Sequence, residues 1–68
     1  MTRAEADEYM MRYFEKTIKE NDEHATRLEH FYPVITDKSQ AEFMKTEAKF
    51  LREHTKRLRD AIKNWPRG

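Results

Sequence analysis

Apolar side chains recur along this chain at alternating steps of three and four. Met11, Phe14, Ile18, Asn21, Ala25, Leu28 and Tyr32 form one such series, and Met44, Ala48, Leu51, Thr55, Leu58, Ile62 and Trp65 a second. That spacing holds a stripe on one side of a 3.6-residue helix, so it predicts two amphipathic helices packed lengthwise, as in a coiled coil or helix bundle. Each seam carries one plainly polar member near its centre, Asn21 or Thr55. Such a residue either fixes the register of packing or sits hydrated at the rim.

The punctuation agrees with the periodicity. Thr2-Arg3-Ala4-Glu5 has the form of a capping box, and Pro33 disfavours helical geometry at Tyr32, so helix 1 should run over about residues 3–32. Glu8 and Arg12, Glu15 and Lys19, and Glu23 and Arg27 stand four apart with the acid first, the favourable order on an exposed face. Residues 33–38 read as a short turn in which Val34 and Ile35 plug the closed end. Ser39-Gln40-Ala41-Glu42 repeats the capping pattern, with Asp37-Lys38-Ser39-Gln40 as a competing start, and helix 2 should run over about 39–64 until Trp65-Pro66. The expected fold is all-α: a single helical-hairpin domain over 1–68, two antiparallel helices joined by one turn. Asn21-Asp22 could instead break helix 1 and give three helices of helix-turn-helix type, but the stepping runs through it unbroken.

The seams do not use up the apolar residues. Ala6, Tyr9, Met10, Tyr13 and Phe31 lie outside the first, and Phe43, Phe50 and Ala61 form a second edge on helix 2. One partner helix covers only part of so wide an arc, and 68 residues enclose little core by themselves. A homo-oligomer is therefore expected, most simply a C2 dimer closing a four-helix bundle, with Tyr9, Met10, Tyr13, Phe31, Phe43 and Phe50 as its surface for self-association or for a foreign partner. The methionines Met10, Met11 and Met44 suit either an adaptable surface or ordinary core filling.

Composition narrows the class. Of 68 residues 40% are charged, yet the net charge is only +1 and eight are aromatic, which is not the signature of a disordered chain. There is no Cys, hence neither a disulfide framework nor a thiolate metal site, and a reducing, cytoplasmic setting is expected. No run approaches the roughly 20 apolar residues of a membrane span. Charge divides along the chain: residues 1–36 carry net −3 and residues 37–68 net +4. Lys45, Lys49, Arg52, Lys56, Arg59 and Lys63 form a basic stripe on helix 2, expected opposite its seam and facing outward, where it could contact phosphates. Glu42, Glu53 and Asp60 flank it and compensate part of its charge, and the pI of about 8.0 is below that of most nucleic-acid-binding domains.

Catalytic chemistry has little to stand on. In a hairpin centred near Ile35, His24 would lie opposite Thr46, His30 opposite Gln40 and His54 opposite Lys16, so the three histidines would not converge. Neither a zinc or di-iron ligand motif nor a glycine-rich phosphate loop can be drawn, since Gly68 is the only glycine. The sequence thus leads to a non-enzymatic protein-interaction module without cofactor or metal: a regulator, adaptor or inhibitor that self-associates. A nucleic-acid binder using the basic stripe and a structural subunit of a larger assembly are the alternatives.

Overall fold

The computed structural model describes residues 1–66 and is all-helical: α1 spans Arg3–Phe31, a 3-10 turn spans Tyr32–Val34, and α2 spans Lys38–Lys63. The two helices pack against each other as an antiparallel hairpin about 52 Å long and 16 by 14 Å across. No helix among the described residues is long and apolar enough to cross a membrane.

Each helix starts where a side chain can satisfy free backbone amides. At α1 the Thr2 hydroxyl accepts from the Glu5 amide at 3.2 Å, and Glu5 Oε1 accepts from the Thr2 amide at 3.2 Å, completing the capping box. At α2 the cap is Asp37, whose Oδ1 accepts from the Gln40 amide at 2.9 Å, so the earlier of the two competing starts is the one used. Pro33 enters the 3-10 turn near its first position, where its missing N–H costs nothing. Val34 does not plug the closed end: it is 71% exposed, because the 3-10 turn swings it outward, and Ile35 alone is half-buried there.

All fourteen seam positions are buried or half-buried. The core proper is Phe14, Ala25, Ala48, Leu51 and Leu58, with Thr55 among them. Small Ala25 and Ala48 let the helices approach closely between the larger layers. At the open end Trp65 packs edge-on against Phe14, ring centroids 5.5 Å apart at 74°, and its Nε1–H donates to Asp7 Oδ1 at 3.0 Å. Arg3 closes this clasp, donating from Nε to Asp7 Oδ1 at 3.1 Å and from Nη2 to the Pro66 carbonyl at 2.8 Å.

Candidate functional site: two unlike faces of the hairpin

The two flanks of the hairpin seam differ in chemistry. On one flank Arg52 reaches across from α2 to α1, where Nη2 donates to Glu29 Oε1 at 2.6 Å, Nε to Glu29 Oε2 at 3.3 Å and Nη2 to Thr26 Oγ1 at 3.2 Å, while Nη1 donates to Asp22. The hydrogen bonds from Arg52 hold the Glu29 carboxyl below its ordinary range, against a smaller opposing effect of burial, and Glu29 in turn raises the Arg52 guanidinium. On the other flank Asn21 Nδ2 donates to His54 Nδ1 at 3.0 Å, which requires the His54 tautomer protonated on Nε2.

These contacts correct three expectations. Arg52 is not an outward cation: it is half-buried and bound to acids of α1. At about 100° per residue the basic stripe lies roughly 110° from the α2 seam rather than opposite it, so a long guanidinium on its near edge can reach the partner helix. His54 faces Asn21 rather than Lys16, because the turn and the extra residue at the start of α2 move the centre of the hairpin toward Asp37. The two central polar residues also part company: Asn21 is half-buried and bonded, whereas Thr55 is only 3% exposed and its hydroxyl has no hydrogen-bond partner. Thr55 is therefore no rim residue.

A heptad signal explains the Arg52 flank. Glu8, Glu15, Asp22 and Glu29 follow at steps of seven on α1, and Lys38, Lys45, Arg52 and Arg59 at steps of seven on α2. From Glu15 and Lys45 onward each set occupies the position just after a seam residue, and in an antiparallel pair those two rows adjoin. Acidic against basic, they favour the pairing of these two helices in this direction. Lys45, Lys49, Lys56, Arg59 and Lys63 remain exposed, and among the described residues none forms an ion pair. The expected pairs Glu15–Lys19 and Glu23–Arg27 are not closed either; Arg12 meets Glu8 at 2.5 Å, and Lys16 meets Glu20 at 4.0 Å.

The His54 flank carries the aromatics. Tyr13 and Phe31 of α1 and Phe43 and Phe50 of α2 are 48 to 71% exposed, and their helical phases place all four on this same side, with half-buried Met10 and Ala61 beside them. Tyr9, equally exposed, stands one turn before Tyr13, lines an open groove with it, Arg12 and Lys16, and extends this face toward the outward side of α1. Together these residues form a single-sided exposed apolar surface.

The remaining chemistry is sparse. His24 and His30 are exposed, His30 stacking edge-on with Phe31 at 5.3 Å, and the three histidines are not brought together. Among the described residues no group of three or more His, Cys, Asp or Glu could hold a metal ion. An open cleft of about 280 Å³ lined by Ala4, Asp7, Glu8, Met11 and Trp65 lies at the open end, at the small end of ligand-pocket sizes. Compared with protein-family models, curated proteins and solved structures, the chain matches none.

Proposed function

We propose that this chain is a small non-enzymatic protein-interaction module, a regulator, adaptor or inhibitor in the cytoplasm, that works as a homo-oligomer of hairpins forming a four-helix bundle. One observation carries the reading: Tyr13, Phe31, Phe43 and Phe50 stand exposed together on one face of a hairpin in which, among the described residues, five apolar residues are fully buried. Aromatic side chains are the usual anchors of protein interfaces, and covering them removes their exposed apolar surface from water. The test is sedimentation equilibrium at micromolar concentration combined with capture of bound protein. Wild type should self-associate, and Tyr13→Asp or Phe43→Asp should abolish association while leaving the helical circular-dichroism signal. Variants that keep both self-association and captured partner would overturn the assignment of this surface.

A second reading rests on the exposed cations Lys45, Lys49, Lys56, Arg59 and Lys63 of the opposite flank, which could track a nucleic-acid backbone. Arg52, engaged by Glu29 and Asp22, is withdrawn from that row. A gel shift decides: binding at about 50 mM salt that vanishes at higher salt supports it, and no binding even at low salt eliminates it.

A further inference from the structure

Resting on self-association through the aromatic face, we infer how a second copy covers it: the two hairpins stack turn over turn, α1 of each lying on α2 of the other, about a two-fold axis parallel to the helices. The face is long enough for this. The outline of the hairpin, 52 Å by 16 Å, bounds a flat face at about 800 Å², the size one partner contributes to a stable interface when nearly all of it is covered.

Two face-to-face arrangements obey two-fold symmetry. In the first the turns lie at the same end and unlike helices meet; in the second the turns lie at opposite ends and like helices meet. Within the hairpin, residues at one level have numbers summing to about 75, as Asn21 and His54 do. The first arrangement repeats that rule between copies. It sets Phe31 against Phe43 of the second copy, Tyr13 near its Ala61, Phe50 near its His24, Glu20 near its Arg57 and Arg27 near its Glu47, so the exposed rings are covered and both charge pairs are of opposite sign. The second arrangement matches charges only when Glu20 opposes Arg27 of the second copy, which centres the axis near residues 23 and 24. The copies then overlap over the turn-proximal part alone, and Met10 and Tyr13 are left in water. Charge complementarity and full coverage of the aromatics are satisfied together only in the first arrangement.

The chain contains no cysteine, so one spin label can be placed at the exposed, unbonded turn residue by Thr36→Cys. Electron–electron distance measurement on the labelled full chain should give a separation on the order of 20 Å, set by helix spacings of 8–10 Å plus the label arms. A separation on the order of 40 Å, which the second arrangement gives because residue 36 lies about 12 residues from its axis at about 1.5 Å per residue, would overturn the stacking while leaving self-association intact. A labelled and unlabelled chain both monomeric in sedimentation equilibrium would overturn both readings.

Discussion

Replacing Thr55 by Val should stabilise this protein, against the usual direction of core substitutions. Thr55 is 3% exposed and its Oγ1 has no hydrogen-bond partner, so folding removes a hydroxyl from water with nothing in exchange. A buried unsatisfied hydroxyl costs about 1–3 kcal/mol, and Val has nearly the same shape, the same β-branch and a similar helix propensity. The expected gain is about 1–2 kcal/mol, which in a domain of this size raises Tm by roughly 5–15 °C. Thermal and urea unfolding followed by circular dichroism, at one fixed chain concentration, measures it. A polar residue inside an apolar seam can also fix register at a cost in stability, so sedimentation of the Val variant should show a broader distribution of oligomers. A variant less stable than wild type by more than about 0.5 kcal/mol would refute the reasoning, since it would mean that the hydroxyl is bonded, for instance to a carbonyl one turn back.

The Arg52–Glu29 contact should show positive coupling in a double-mutant cycle of Arg52→Met and Glu29→Gln, shrinking as salt is raised. Because Arg52 lowers the folded-state pKa of Glu29, the stability it confers is present above the ordinary value of 4.5 and is lost as pH falls through the lower folded-state value; Arg52→Met should remove that part of the acid dependence, and an unchanged pH profile would refute the linkage. Trp65→Phe keeps the ring against Phe14 but deletes the N–H bond to Asp7, and should cost about 1–2 kcal/mol by urea unfolding; no loss would show that the clasp is held by Arg3 alone.

The hairpin was legible because its core depends on phase alone. A three-four step determines which side chains share a face whatever their partner, so every seam residue from Met11 to Trp65 could be read before any contact was known. What escaped depended on level and reach. The level at which the helices face each other is set by the turn, and capping by Asp37 together with a 3-10 turn at Tyr32–Val34 moved it enough to bring His54 to Asn21. Reach misled at Arg52: angular position describes where a Cα lies, whereas a guanidinium extends several Å further and is drawn to Asp22 and Glu29. The rows of acids and bases at steps of seven held that information, but they become informative only once the helices are known to be antiparallel.

The same phase argument explains why the two flanks differ in chemistry. One flank joins acids of α1 to bases of α2 and is closed within the chain by Arg52, so it contributes to choosing the fold. The other carries, beside the Asn21–His54 bond, the exposed rings of Tyr13, Phe31, Phe43 and Phe50. Tyr13 packs against Phe14 at 6.0 Å and Phe31 against His30 at 5.3 Å, yet Tyr13 and Phe31 each keep about half of their surface exposed. A chain that needed the aromatics solely for its own core would have placed them in the seam, where Ala25 and Ala48 now stand. Their displacement by about a quarter turn or more leaves them on one exposed face of the hairpin, and the proposed covering of that face by a second copy would make stability depend on chain concentration.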